Sequence, residues 1–159
     1  MKPILQTHTA YAYAKINLSL DILGTLPNGY HEVRMIMQSL QLHDTITLNI
    51  NNTSGITMTC SDTALPVDEH NLAYRAAVLF CTTYGITDGI SLHLEKKIPV
   101  AAGLAGGSSD AAAVLRGLNE MYGCPATPEK LAALGVTLGA DIPYCLMLGT
   151  ALSEGIGGS

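Results

Sequence analysis

A chain of 159 residues, 48% hydrophobic and 13% charged, is long enough to bury a real core and falls within the range of one domain. Its net charge of −5 lacks the clustered Lys and Arg that hold phosphate backbones, which excludes a nucleic-acid binder and leaves any anionic ligand to local groups. With one Phe and no Trp, the core must come mainly from Leu, Ile, Val, Ala and Met.

From Ala12 to Ile22 residues alternate, Ala14, Ile16, Leu18, Leu20 and Ile22 on one face and Lys15, Asn17, Ser19 and Asp21 on the other, which predicts a half-buried strand. Leu26-Pro27-Asn28-Gly29 carries turn signals and leads into a second strand-like run from about His31 to Leu42, so a hairpin is expected. Further alternation at Ile46, Leu48 and Ile50, then at Ile56, Met58 and Cys60, predicts a meander continued through two more strands. Near Asn71 the period becomes helical, with Leu72, Ala76, Leu79 and Phe80 on one face and Gly85 placed to end the helix. Ile90, Leu92 and Leu94 mark another strand, which runs into a Gly-rich segment. A helix follows, with Ser108 and Ser109 as candidate N-caps and Val114, Leu115, Leu118 and Met121 as its apolar stripe. Thr127-Pro128-Glu129 starts one more helix, capped by Thr and led by Pro, with Leu131, Leu134 and Leu138 on its inner face.

Cys60, Cys81, Cys124 and Cys145 lie far apart, a spacing that fits neither a zinc site nor a disulfide framework; reduced thiols, mostly in the core, are expected. His8, His43, His70 and His93 show no metal-ligand spacing and are read as surface residues. No apolar run reaches the ~18 residues of a membrane helix and the start does not read as a signal peptide, so a soluble cytoplasmic protein is expected.

The segment from Pro99 to Ala112 carries the chemistry. Gly103, Gly106 and Gly107 let backbone N–H groups turn toward one point, and the helix beyond them adds unpaired donors and a partial positive charge. Together these make a phosphate cradle, to which the hydroxyls of Ser108 and Ser109 can add hydrogen bonds or help place a magnesium ion. Neither the Walker A spacing nor the dinucleotide fingerprint occurs. A plain flexible Gly/Ser turn is the bland alternative.

The run Pro99-Val-Ala-Ala-Gly103-Leu104-Ala105-Gly106-Gly107-Ser108-Ser109-Asp110-Ala-Ala resembles the second conserved motif of the GHMP kinases. Its extra glycine and Ser-Ser-Asp-Ala-Ala ending are those of the branch that phosphorylates a diphosphocytidyl sugar alcohol in the non-mevalonate isoprenoid pathway. Three further segments agree with that branch: Ala14-Lys15-Ile16-Asn17-Leu18, Asn28-Gly29-Tyr30-His31-Glu32 and Leu138-Gly139-Ala140-Asp141-Ile142-Pro143. The resemblance implies an α+β fold, a mixed sheet with helices on one side, similar to domain 2 of ribosomal protein S5. It implies ATP and magnesium as cofactors, and a small-molecule substrate bearing cytidine diphosphate.

By the same resemblance, Asp141 is the general base and Lys15 its partner, a cation that keeps the carboxylate ionised and steadies the transferring phosphoryl group. Asn17 contacts the substrate near the reacting hydroxyl, Tyr30 stacks on the cytosine and His31 bonds its edge; such stacking is worth ~1–3 kcal/mol. Gly103, Leu104, Ala105, Gly106, Gly107, Ser108 and Ser109 hold the phosphates, while Asn71 and Lys96 line the nucleotide pocket. Read without it, Asp141 is an Asx turn or helix cap, Asn71 an N-cap and Lys15 or Lys96 a solvated lysine.

The match runs from about Ala12 to about Gly157, roughly the first half of such an enzyme, with Gly157-Gly158-Ser159 as a possible linker or tail. Such a half is expected to fold with weak or no turnover, because an open cleft admits water. Two other readings stay open, a GHMP kinase for homoserine or mevalonate and a non-catalytic S5-like binding or assembly domain.

Overall fold

In a computed structural model that describes residues 1–14, 42–100 and 106–153, the elements follow in the order β1 (Thr7–Tyr13), β2 (His43–Asn51), β3 (Ile56–Cys60), α1 (Leu72–Tyr84), β4 (Gly89–Glu95), α2 (Gly106–Met121), α3 (Pro128–Leu138) and α4 (Ile142–Ser153). The strands lie side by side as β1-β2-β4-β3. β1 pairs with β2 and β2 with β4 antiparallel, whereas β3 pairs with β4 parallel. The sheet is mixed, as expected, but the meander is not continued. A parallel pair needs a crossover rather than a tight turn, and α1 supplies it. Composition explains the order: β4 buries Ile90, Leu92 and Leu94 and takes a central place, while the short β3, with exposed Thr57 and Thr59, suits the edge.

Alternation places Ala10, Ala12, Ile46, Leu48, Ile90, Leu92 and Leu94 on one face of the sheet, where they join the helices in one core. The other face carries Thr9, Thr47, Asn49, Ser91 and His93, so the helices lie on one side. β1 starts upstream of the expected strand and shares only Ala12 and Tyr13 with it; the rest of that run beyond Ala14, the expected turn and nearly all of the run from His31 lie outside the described residues.

α2 is the hub, touching α1, α3, α4, β1 and β2. Ala111, Ala112 and Ala113 are fully buried, and a Cβ on Gly117 would come within 2.9 Å of Leu48 Cδ1. Small residues thus let the helix lie directly on the sheet. α1 is capped as expected: Asn71 Oδ1 accepts from the Ala73 N–H at 2.9 Å, and Gly85 at φ +65° closes the other end with its N–H bonded to the Cys81 carbonyl. Thr127 caps α3, its hydroxyl accepting from the Lys130 N–H at 3.2 Å.

Two expectations need correction. α2 begins at Gly106, so Ser108 and Ser109 lie inside its first turn and are not its N-caps. α4 was not expected, because its sequence, Ile-Pro-Tyr-Cys-Leu-Met-Leu-Gly-Thr-Ala-Leu-Ser, is apolar on nearly every side and shows no periodic stripe. Cys81 and Cys145 are buried, Cys60 is half-buried and Cys124 is exposed, and none of the four is in a disulfide. The histidines are less uniformly superficial than expected: His8 is half-buried with Nε2 3.0 Å from Glu120, and His43 packs between Tyr11 and Tyr13. No helix among the described residues is long and apolar enough to cross a membrane.

Candidate functional site

Three helix starts meet at the Gly-rich end of α2. A Cβ built on Gly107 would lie 3.8 Å from Leu72 Cδ1, which places the first residue of α1 beside this turn. On the other flank, a Cβ on Gly139 would lie 3.9 Å from Ser108 Oγ, and α4 starts three residues after that glycine. Each helix start carries backbone N–H groups without intrahelical acceptors and a partial positive charge. Their grouping makes a favourable place for an anion in a chain with few cations.

Asp141 occupies the turn between α3 and α4, is exposed, and offers its carbonyl to the Cys145 N–H at 3.1 Å. It therefore stands at the head of α4, on the segment that passes Ser108. Ser108 is half-buried. Ser109 is 4% exposed and donates its hydroxyl to the Tyr13 carbonyl at 2.5 Å, tying α2 to the end of β1. Of the two serine hydroxyls, that of Ser109 is thus taken up by the fold. Asn71 spends its side chain at both ends on local structure, accepting from Ala73 and donating to the Pro66 carbonyl at 3.0 Å.

Beneath the turn lies a buried charge cluster. Lys96 Nζ donates to Asp44 Oδ2 at 2.6 Å and to Asp110 Oδ2 at 3.2 Å, and its side chain is 7% exposed. It is not the solvated lysine of the bland alternative. A Cβ on Gly106 would stand 3.1 Å from this ammonium, so the amine lies directly under the first residue of α2. Asp44, fully buried, also accepts the backbone N–H groups of Lys97 and Ile98 on Oδ1, at 2.6 and 2.8 Å.

Burial pushes the Asp44 carboxyl up, but the donors around it, Asp110, Ile98, Lys96 and Lys97, outweigh this and leave it below the usual carboxylate range. For Lys96, burial works against the charged form, and the two facing carboxyls more than offset it, so it stays above the ordinary lysine value. Asp110 goes the other way: burial first, then the Asp44 carboxylate, push it up to about 9 against the pull of Lys96. One acid of the pair therefore holds a proton at neutral pH.

Gly106, Gly107, Ser108, Lys96 and Asp141 are brought to one end of the fold, with Asn71 and Ser109 turned into supporting contacts. Lys15, Asn17, Tyr30, His31, Gly103, Leu104 and Ala105 lie outside the described residues. Sequence reasoning missed Asp44 and Asp110. Both could have been found, since each is a carboxylate standing on an apolar face: Asp44 shares the parity of Ile46 and Leu48, and Asp110 lies four residues before Val114 on the buried stripe of α2.

Residues 71–149 match the family described as GHMP kinases N terminal domain. The chain is 58% identical over 146 residues to 4-diphosphocytidyl-2-C-methyl-D-erythritol kinase of Lachnoclostridium phytofermentans, covering 92% of this chain and 50% of that protein. It is 53% identical to the protein of the same name from Clostridium botulinum (strain Alaska E43 / Type E3), covering 92% of this chain and 52% of that one. It thus spans about half the length of the curated relatives it matches. A crystal structure of 4-(cytidine 5'-diphospho)-2C-methyl-D-erythritol kinase superposes with a TM-score of 0.57 at 42% identity, over 67% of this chain and 36% of that one. Homoserine kinase from Cytophaga hutchinsonii, at 17% identity and a TM-score of 0.63 over 95% of this chain and 44% of that one, shares the fold. The Gly-rich helix start, the mixed sheet behind it and these relationships agree: the chain belongs to the GHMP kinase family and carries its N-terminal domain.

Proposed function

We propose that the chain is the nucleotide-holding half of a small-molecule kinase that transfers the γ-phosphoryl group of ATP to the 2-hydroxyl of 4-diphosphocytidyl-2-C-methyl-D-erythritol. The observation that carries this reading is the grouping of three helix starts around Gly106–Ser108, with the exposed Asp141 on the adjoining turn. Identity of 58% to a relative bearing that enzyme name supports this acceptor over homoserine or mevalonate. The kinases for those two substrates resemble the chain at 13–17% identity, which carries the fold alone.

The first-turn amides of α2 bind the phosphates, and the Ser108 hydroxyl adds a donor. Asp141 accepts the proton of the attacking hydroxyl, and Lys15, Asn17, Tyr30 and His31 hold the acceptor side in this reading. Magnesium suits hard oxygen donors, and the Ser108 hydroxyl would help hold it at this edge. The ion, when bound, neutralises charge on the phosphates. Positioning and electrostatics do most of the work in such a transfer.

Two measurements test the proposal. A non-hydrolysable ATP analogue titrated into the chain should bind, and Gly107→Val should weaken it by at least ~10-fold. Among the described residues, a Cβ at that position would have only Leu72 Cδ1 nearby, at 3.8 Å, so the variant fills the cradle while the fold stands. Joined to the remaining half of the Lachnoclostridium relative, the chain should phosphorylate the diphosphocytidyl acceptor, and Asp141→Asn should slow that transfer ~10²–10⁴-fold. A chimera that prefers homoserine or mevalonate sinks the acceptor assignment; equal analogue binding by wild type and G107V sinks the cradle.

A further inference from the structure

The cluster beneath α2 is more than a place where charges are stored. It joins three separate stretches of chain: Asp44 near the start of β2, Lys96 just past the end of β4, and Asp110 in the second turn of α2. Resting on the nucleotide reading above, we propose that Asp110 is a positioning residue for the phosphate cradle: a proton shared with Asp44 and an ammonium shared by both lock the first turn of α2 onto the sheet.

Two buried carboxylates and one ammonium would leave an uncompensated negative charge in a dry site, a costly arrangement. One added proton makes the group neutral. Asp44 is the member built to stay ionised, because both of its oxygens accept from N–H groups. Asp110 is the member built to keep the proton. Its Oδ2 receives Lys96 at 3.2 Å, while its buried Oδ1 meets no N–H or O–H donor among the described residues. An oxygen that meets no donor is expensive on a carboxylate, whereas a proton carried on it can be given to Asp44. The shift of Asp110 up to about 9 agrees with that division. Among the described residues, the titratable groups facing Asp110 are Asp44 from β2, Lys96 from the segment after β4 and the Cys60 thiol at the end of β3, itself pushed up mainly by burial.

The lock bears on ligand binding because the ammonium sits 3.1 Å from the Cβ position of Gly106. Anything that lets Lys96 swing away removes the support under the amides that open α2. Asn at position 110 can still donate to Asp44 and accept from Lys96, so it should replace a neutral acid. Ala cannot, and Asn at position 44 removes the anion on which the group depends.

The sign of the pH dependence follows from linkage. Asp110 is raised from 3.8 to about 9, so the folded chain keeps a proton that the unfolded chain releases. The stability this contributes is complete below 3.8 and is lost as pH rises to about 9. Asp110→Asn has no such proton to lose. Urea midpoints of wild type and D110N, measured from about pH 5 to about pH 9, should therefore separate in favour of D110N as pH rises.

In the same series, D110N should bind the ATP analogue within about threefold of wild type, and D110A and D44N should lose at least about tenfold. A wild type to D110N midpoint difference that stays flat with pH overturns the shared proton. D110A binding the analogue as tightly as wild type overturns the positioning role. If wild type itself fails to bind, the nucleotide reading falls and the positioning role with it, while the midpoints still decide the shared proton on their own.

Discussion

Thiol reactivity separates the cysteines residue by residue. Cys81 is 7% exposed and burial, helped by Asp88, pushes its thiol up to about 11; Cys145 is 3% exposed; Cys124 is exposed after α2, at φ 59°. The thiolate is the reactive form, so brief treatment of the native chain with iodoacetamide at about pH 8 should modify Cys124 first and leave Cys81 and Cys145 intact until unfolding. Mass spectrometry of the labelled peptides checks this, and early modification of Cys81 would contradict it. The sequence reading put the thiols mostly in the core and did not single out Cys124, since spacing says nothing of exposure. Residues with a local role were legible: Asn71, Gly85 and Thr127 announce helix ends because a cap depends on a few neighbouring residues. The partners of Lys96 were not read out, because the three groups are separated by 52 and 14 positions in the chain and meet only through the sheet.

Among elements, the contact between α3 and α4 sets where Asp141 stands. A Cβ on Gly135 would fall 2.6 Å from Ile142 Cγ2, so the two helices cross with no room for a methyl group. Ile142 is fully buried and follows Asp141 directly. Gly135→Ala should therefore cost ~1–3 kcal/mol of stability by overpacking, even though alanine favours a helix. Chemical denaturation measures it, and an unchanged or raised stability would show that the crossing can open freely. β2, β3, β4, α1 and α3 were legible because each alternates or repeats cleanly. β1 was not, because its inward residues include small alanines, Ala10 and Ala12, rather than branched apolar side chains. α4 escaped for the opposite reason, being apolar almost throughout.

For the molecule as a whole, the pH response is set by two acids that pull in opposite directions. Asp44 is held below its usual range, so its contribution is present above 3.8 and is lost as pH falls through its lowered folded-state value. Stability should drop on acidification past about pH 4, and Asp44→Asn, though less stable at neutral pH, should show a shallower acid limb. Urea titrations of both proteins across that range check the slope; parallel acid limbs would place the sensitivity elsewhere. The general plan, a mixed sheet with helices on one face, followed from the motif resemblance, whereas the strand order did not. Pairing β3 parallel to β4 depends on which strand is apolar enough for the middle, a comparison between strands that no single stretch reveals.

That strand order also separates near from far along the chain. β3, α1 and β4 are consecutive and can assemble as a unit once about forty residues are in place, whereas Tyr13 pairs with His43 across roughly thirty intervening residues. Long closures slow folding more than they weaken the folded state. During synthesis β1 leaves the ribosome before β2, so the pairing of Thr7–Tyr13 with the later strand waits until that strand has followed.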